Sequence, residues 1–146
     1  MEENNKAYNY AMFLLNIRLR TEGELRERLN AKRYSLNAII DVIQQLKDQH
    51  YIDDQRFAEV FLENLKKYKY WGYYGIKKKM MEKKLPMSVI EDVLSAGLSE
   101  EEELGIAKKY FSKEKMVIRN QEEKAKVARK LAAKGFRGSV ISKLVF

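Results

Sequence analysis

The hydrophobic positions along this chain recur with the spacing of α-helices. In the first segment, an apolar stripe with a 3.6-residue period is formed by Ala7, Tyr10, Ala11, Leu14 and Leu15. No segment alternates apolar and polar residues for long enough to predict a strand. The pattern therefore predicts short amphipathic helices throughout the chain.

The same pattern returns at a shift of 51 residues. Self-similarity at a fixed period is typical of repeat proteins. We therefore expect the matching apolar residues to be buried at equivalent places. The three clearest sets are Leu25, Ile76 and Val127, then Leu29, Met80 and Leu131, and then Ile39, Ile90 and Ile141.

Polar residues predict where several of these helices begin. Thr21 with Glu24, and Ser99 with Glu102, have the spacing of a capping box, in which two side chains bond to free backbone N–H groups. The predicted elements form three tandem three-helix repeats, which cover residues 1–50, 51–98 and 99–146. The predicted fold class is therefore all-α, an elongated, curved array in which each repeat is one domain.

Positive charge is concentrated in one short part of the chain. The whole chain has a net charge of +8, while residues 66–84 contain 8 basic residues and 1 acidic residue, a local charge of +7. Such an excess attracts polyanions or an acidic protein surface. The simpler alternative is a solvated basic face, which most charge runs are.

The basic segment also contains YKYWGYYG, residues 68–75, with five aromatic side chains. The repeat places this stretch at the junction of the first two helices of the second repeat. We expect its glycines to permit the turn and Trp71 to pack the junction. Five rings exceed what one small junction can bury, so one or more of the tyrosines should face outward.

These observations predict a binding surface around the aromatic stretch, with a weaker basic group in the first repeat. Lysine and arginine neutralise phosphates, and exposed rings can stack on bases. The predicted partner- or DNA-binding residues are Arg18, Arg20, Lys66, Lys67, Lys69, Tyr70, Tyr73, Tyr74, Lys77, Lys78, Lys83 and Lys84.

No set of residues predicts catalysis, a metal site or a cofactor. The chain has no cysteine, and its single histidine, His50, has no nucleophile beside it in a motif. The G-Y-Y-G at 72–75 matches the clamp of a KH domain, but that fold needs strands. We expect a cytoplasmic monomer that binds no membrane, since neither a membrane-spanning apolar run nor a signal pattern occurs.

Four segments of the chain match the motifs of one known family. The segment YIDDQRFA, residues 51–58, matches G-Y-[IL]-D-D-x-R-F, and IRLRTEGEL, residues 17–25, matches R-x-x-S-E-x-E-L. KYWGYYGIKKKM, residues 69–80, matches K-x-x-G-x-x-x-I-x-x-x-L, and RKLAAKGF, residues 129–136, matches L-x-x-[KR]-G-[FY]. In these segments, which together extend over essentially the whole chain, the protein resembles the RecX family, regulators of the RecA recombinase.

The chain departs from the family pattern at several positions where glycine or a basic residue is usual. His50 replaces the glycine that precedes the Y-[IL]-D-D motif. Arg33 and Lys84 replace a glycine that only Gly135 keeps, and Gly75 stands where a basic residue is frequent.

The resemblance implies a non-catalytic helical modulator of RecA. Such proteins bind along the groove of the RecA filament on single-stranded DNA, inhibit its ATPase and strand exchange, and weaken the filament. The implied partners are therefore the RecA filament and, weakly, single- or double-stranded DNA.

We predict structural roles for the family-matched residues. Asp53 or Asp54 should cap the helix that opens the second repeat. Arg56 should pair with a carboxylate or a helix end, or lie on the partner-facing surface. The complete set of structural residues is Asp53, Asp54, Arg56, Phe57, Trp71, Gly72 and Gly135.

The residues alone leave two other functions open. One is a DNA- or RNA-binding protein that acts by itself, since three-helix units with basic faces resemble helix-turn-helix folds. Against it, the basic excess lies at one junction and not on the third helix of each repeat. The other is a helical scaffold without a nucleic-acid partner, whose basic stripe would serve solubility.

Overall fold

A computed structural model describes residues 2–146, and this part of the chain forms nine α-helices and no strand. The all-α prediction is therefore confirmed. The helices are α1 (Glu2–Ile17), α2 (Glu22–Ala31), α3 (Leu36–Asp48), α4 (Asp54–Tyr68), α5 (Tyr73–Glu82), α6 (Met87–Gly97), α7 (Glu100–Lys113), α8 (Gln121–Ala133) and α9 (Gly138–Val145).

The helices form three groups of three, called repeats 1, 2 and 3 below. Within each group the first helix packs on the third, as α1 on α3, α4 on α6 and α7 on α9. The period is visible in the helix bounds, because α2, α5 and α8 end at Ala31, Glu82 and Ala133. The division into three separate domains stays a prediction.

The apolar residues form two cores. Repeat 1 has its own core, whereas repeats 2 and 3 share a continuous one. Eight of the nine residues in the predicted sets are buried. The ninth prediction is wrong: Ile141 is half-buried, because the buried face of α9 is turned by one position and carries Val140.

Side chains cap the helices largely as predicted. Thr21 makes both bonds of the capping box of α2, and Asp53 accepts a backbone N–H from the first turn of α4. Ser99 caps α7, but the carboxylate of Glu102 bonds to Lys66 of α4 at 2.6 Å and does not reach back to Ser99. The second predicted capping box is therefore incomplete, because its glutamate links two repeats.

The turn after the second helix of every repeat contains a residue with a left-handed backbone. These residues are Arg33 (φ 64°), Lys84 (φ 64°) and Gly135 (φ 83°), and His50 (φ 63°) follows α3 in the same conformation. A Cβ atom is strained there, so glycine is the favoured residue. Three departures from the family pattern therefore lie where the backbone itself favours glycine.

Candidate nucleic-acid and partner interface

Glycines let repeats 2 and 3 touch through their backbones. The Gly72 N–H donates to the carbonyl of Lys134 at 2.9 Å. A Cβ on Gly72 would lie 2.3 Å from the Cα of Phe136, and one on Gly75 would lie 2.6 Å from the Lys134 oxygen. The expectation that these glycines permit a turn is wrong, because Gly72 has an ordinary φ of −85°. They are needed for close approach instead.

The aromatic stretch covers the end of α4 and the start of α5, beside this backbone contact. Trp71 is half-buried and packs against the shared core, while Tyr70 packs on Tyr110 of α7 with ring centroids 6.0 Å apart. Tyr68 is 67% exposed and Tyr74 is 56% exposed. Trp71 therefore packs the junction as predicted, and at least two tyrosines face outward.

The side of this stretch that faces repeat 3 forms a groove of about 620 Å³, called the lysine–aromatic groove below. Repeats 2 and 3 both contribute lysines to it, and Glu82 is its one acidic lining residue. The lysines are Lys69, Lys79, Lys83, Lys113 and Lys134, and the rings are those of Phe61, Tyr68, Tyr70 and Trp71.

Aromatic rings hold several of these ammonium groups. The Nζ atoms of Lys134 and Lys79 lie 3.9 and 4.9 Å from the centroid of Trp71. The Nζ atom of Lys113 lies 4.7 Å from the centroid of Tyr70. A ring attracts a cation through its negative face but accepts none of its N–H groups in an ordinary hydrogen bond. These lysines are therefore held in place while they remain able to donate to an anion.

Lys134 holds its charge in an unfavourable environment. Burial lowers the pKa of Lys134, and the positive charges of Lys113, Lys69 and Lys79 lower it further against the opposing effect of Glu114. Desolvation together with like charges disfavours the charged form of a lysine. An anion bound in the groove would offset this penalty.

Most of the remaining predicted binding residues face solvent at least in part. Two of the exposed ones are already paired, Arg18 with Glu24 at 3.0 Å and Lys84 with Glu27 at 3.6 Å. The exposed residues are Arg18, Lys67, Lys69, Tyr74, Lys78 and Lys84, and the half-buried ones are Tyr70, Tyr73, Lys77 and Lys83.

Two predicted binding residues make their contacts within the protein, which argues against these assignments. Arg20 is 7% exposed and its Nε atom donates to the carbonyl of Leu14 at 3.4 Å. The ammonium group of Lys66 bonds to Glu102 and, at 2.7 Å, to the carbonyl of Gly97. Burial would lower the pKa of Lys66, but its bonds to carboxylates outweigh this and raise it. Both cations are used inside the fold.

The remaining motif residues link elements or pack. Asp54 accepts the backbone N–H of Glu22, the first residue of α2, at 2.9 Å and so ties repeat 2 to repeat 1. Phe57 stacks on Phe61 with centroids 5.9 Å apart and packs against the shared core. Arg56 is exposed at the edge of the joint between repeats 1 and 2.

The sequence analysis missed the most deeply buried charged residue, Glu103. Its exposure is 0%, and its carboxylate pairs with the guanidinium of Arg137. It also accepts the backbone N–H of Tyr73 at 3.0 Å and that of Arg137 at 2.9 Å. One carboxylate therefore caps the starts of α5 and α9, which belong to different repeats.

The signal for this residue lies in the repeat. Glu3, Asp54 and Glu103 each precede the alanine of an Ala-x-x-aromatic pair by four residues. All three bond to a backbone N–H at the start of another helix, Glu3 at Ser35 and Asp54 at Glu22. Alignment of the acidic positions would have predicted a shared capping role.

In residues 2–146, no helix is long and apolar enough to cross a membrane. The same residues contain no group of three or more His, Asp or Glu side chains placed to hold a metal ion. The prediction of a non-catalytic protein therefore rests on the sequence.

Solved structures of similar fold are known. A crystal structure of RecX from Lactobacillus salivarius superposes with a TM-score of 0.87 over 99% of this chain and 95% of that one, at 22% identity. A second crystal structure, described as regulatory protein RecX, gives 0.82 over 96% of this chain and 70% of that one, at 23% identity. These likenesses establish the fold.

Sequence comparisons establish the family. Residues 7–46 match the model for the first three-helix domain of RecX. Proteins named regulatory protein RecX are 29% identical in Geobacillus kaustophilus over 97% of this chain and 53% of the relative, and 31% identical in Oceanobacillus iheyensis over the same shares. The chain thus spans about half the length of these relatives. The Clostridium tetani protein of the same name is 30% identical over 99% of this chain and 71% of its own length. On this near-complete alignment, with the fold and the motifs described above, the chain belongs to the RecX family.

Proposed function

We propose that this protein is a non-catalytic regulator of the RecA recombinase. It binds along the groove of the RecA filament on single-stranded DNA, inhibits the ATPase and strand exchange, and weakens the filament. The name regulatory protein RecX, which the curated relatives carry, supports a regulatory role. The observation in this chain that carries the proposal is the lysine–aromatic groove together with the basic face of α5 beside it.

The contact surface is proposed to extend from the end of α4 along α5. Lys67, Lys69 and Lys78 offer exposed cations, and Tyr74 offers an exposed ring. Lys77 stands beside Lys78 on the same helix. Tyr70, Tyr73, Lys83 and Lys84 border this surface, and Arg18 forms a weaker, paired extension in repeat 1. We further propose that the protein acts as a cytoplasmic monomer without cofactor or membrane contact.

The test is the ATPase activity of RecA on single-stranded DNA while this protein is titrated in. We expect inhibition by the parent and weaker inhibition by the variant Lys77→Gln with Lys78→Gln. Removal of one phosphate-binding lysine should flatten the plot of log affinity against log salt by roughly 0.7. A matched control, Lys6→Gln with Lys32→Gln, removes the same charge from exposed positions in repeat 1. Unchanged ATPase at saturating parent protein would disprove the proposal.

A stand-alone nucleic-acid-binding protein is the second candidate, because the groove offers cations and rings without any partner protein. Binding of bare DNA with no effect on RecA would favour it. Inhibition of RecA would favour regulation, whether or not bare DNA is bound.

A further inference from the structure

We infer that the lysine–aromatic groove binds single-stranded nucleic acid directly, with a phosphate held by Lys79, Lys113 and Lys134 and an adjacent base stacked on Tyr68. Lys113 and Lys134 come from repeat 3, outside the basic segment 66–84. The inference rests on the proposed function for its biological setting. It concerns the chain by itself, however, and its test contains no filament.

The three cations surround one set of packed rings. Lys79 and Lys134 both lie over Trp71, at 4.9 and 3.9 Å from its centroid. Lys134 is also 5.2 Å from the ring of Tyr110, which packs on the ring that Lys113 covers. The ammonium groups therefore belong to one site that closes only when both repeats are in place.

Their charge is not neutralised inside the protein. In residues 2–146, ten ion pairs within 4.0 Å are formed, and none includes these three lysines. By contrast, Lys66 of α4 is paired with Glu102 and Glu63. Glu82 also lines the groove, but it forms no ion pair with Lys79, Lys113 or Lys134. The lowered pKa of Lys134, caused by burial and like charges, agrees with a cluster of unpaired cations.

The rings decide which polyanion fits. Trp71 and Tyr70 are half-buried and already covered by ammonium groups, whereas Tyr68 is 67% exposed at the edge of the groove, with the Nζ atom of Lys67 5.5 Å from its centroid. Base–aromatic stacking is available only to unpaired bases, since a duplex keeps its bases inside its own stack. An acidic peptide would use the lysines but would have no flat group for Tyr68. A single strand uses both features.

The experiment is a titration of the parent with a labelled oligothymidylate of about 16 nucleotides, the upper end of the site sizes seen for single-strand binders. Anisotropy of the label reports binding, and the emission of Trp71, the one tryptophan in the chain, reports occupancy of the groove. We expect saturable binding and a change in emission, because two of the phosphate-holding lysines lie over the indole.

Charge variants test the phosphate site. Lys113→Gln with Lys134→Gln should reduce the slope of log affinity against log salt by up to roughly 0.7, the contribution of the one phosphate that these lysines hold together with Lys79. The control Lys6→Gln with Lys32→Gln removes the same charge and also takes a lysine from a ring, since Lys32 lies 5.0 Å from the centroid of Tyr10. This control should keep the parent slope.

Ring variants test the stacked base. Tyr68→Ala should weaken binding of the single strand roughly 5- to 150-fold, the range that corresponds to one stacked base. Tyr68→Phe should bind like the parent. A duplex of the same length should bind more weakly than the single strand and should not respond to Tyr68→Ala.

The inference is overturned if the parent does not bind the oligothymidylate, or if the groove variant and the control have equal salt slopes. A Tyr68→Ala variant with parental affinity overturns the stacked base. Melting curves check folding, and Lys113→Gln alone, at an exposed site, decides the phosphate site if Lys134→Gln impairs folding. None of these failures bears on inhibition of RecA, which the ATPase assay measures separately.

Discussion

The joint between repeats 2 and 3 and the joint between repeats 1 and 2 are built from equivalent positions, yet different groups hold them. At the joint of repeats 2 and 3, the backbone N–H of Gly72 donates to the carbonyl of Lys134. At the joint of repeats 1 and 2, Thr21 occupies the position that is equivalent to Gly72 in the repeat, and its hydroxyl donates to the carbonyl of Lys83 at 2.6 Å. One joint is closed by backbone-to-backbone hydrogen bonds. The other is closed by hydrogen bonds in which a side chain takes part, although the backbone of Lys84 also lies close to Gly23.

The carboxylate at the joint of repeats 2 and 3 accepts more backbone N–H groups than its counterpart at the joint of repeats 1 and 2. Glu103 accepts backbone N–H groups from a helix start in each of two repeats. Asp54 accepts one backbone N–H group, that of Glu22. Pro86 occupies the position that is equivalent to Arg137 in the repeat, and proline has no N–H to donate. Accordingly, repeats 2 and 3 share one apolar core and repeat 1 keeps its own.

This difference explains where the candidate site lies. A site assembled from two repeats keeps its geometry only if the repeats are fixed relative to each other. The lysine–aromatic groove takes Lys79 from repeat 2 and Lys113 and Lys134 from repeat 3, across the backbone-closed joint. The comparison thus predicts that damage to this joint affects stability and the groove together.

The largest effect is expected for Glu103→Ala. The substitution leaves the guanidinium of Arg137 without its partner and uncaps two helices, which should lower the free energy of unfolding by about 3–5 kcal/mol. Urea denaturation measures this loss in the free energy of unfolding. Glu101→Ala, an exposed change in the same first turn, is the control and should shift stability by less than about 0.5 kcal/mol. Equal losses in the two variants would contradict the double-cap role of Glu103.

The next largest effect is expected for Gly72→Ala. The new methyl would lie 2.3 Å from the backbone of Phe136, so the repeats must move apart, at a cost of about 1–3 kcal/mol. Gly105→Ala is the matched control, because a Cβ there meets nothing within 4 Å and a helix interior favours alanine by roughly 0.5–1 kcal/mol. Thermal melts should therefore shift in opposite directions. A shift of the same sign and size in both would remove the close-approach argument.

A gain in stability is expected for Arg33→Gly in repeat 1. The equivalent position at the backbone-closed joint is Gly135, and both have a left-handed backbone. Relief of the Cβ strain, about 1–2 kcal/mol, exceeds the entropic cost of glycine, so the free energy of unfolding should rise by roughly 0.5–1 kcal/mol. Lys32→Gly, at an ordinary φ of −80°, should instead lose stability. A loss in both variants would show that Arg33 makes interactions worth more than its strain.

The repeat fold could be predicted from the sequence because local patterns determine it. The apolar period placed Leu25, Ile76 and Val127 in equivalent buried positions, and short-range capping by Thr21 and Asp53 fixed helix starts. These interactions connect residues a few positions apart or repeat with the period.

The joints and the groove could not be predicted because they depend on contacts between residues far apart in sequence. Glu103 meets Tyr73 and Arg137 across 30 and 34 residues, and nothing local distinguishes it from the other acids of its turn. In the same way, Lys134 reaches Trp71 only once the repeats have stacked. Counting charge within residues 66–84 therefore missed two of the three cations proposed to hold phosphate.

The smallest effects concern pH, and they should have opposite signs at the two joints. At the joint of repeats 1 and 2, burial raises the pKa of Asp54 above its ordinary value of 3.8, and the charges of Glu22 and Asp53 add to this although the Glu22 N–H opposes it. Folding therefore favours protonated Asp54, and its contribution is lost as pH rises through the folded-state pKa. Asp54→Asn stays neutral and can still accept the Glu22 N–H, so it should gain stability relative to the parent as pH rises.

At the joint of repeats 2 and 3, the bond from Lys66 lowers the pKa of Glu102 below its ordinary value of 4.5. The contribution of this carboxylate is therefore present above 4.5 and lost as pH falls through the folded-state pKa. Glu102→Gln should lose roughly 0.2–1 kcal/mol at neutral pH, since Glu102 is half exposed, and the difference should vanish in acid. Unfolding free energies between about pH 3 and 7 measure both variants, with Glu101→Gln as the control for a free carboxylate. If the two differences from the parent followed pH in the same direction, the joints would not differ electrostatically as the structure requires.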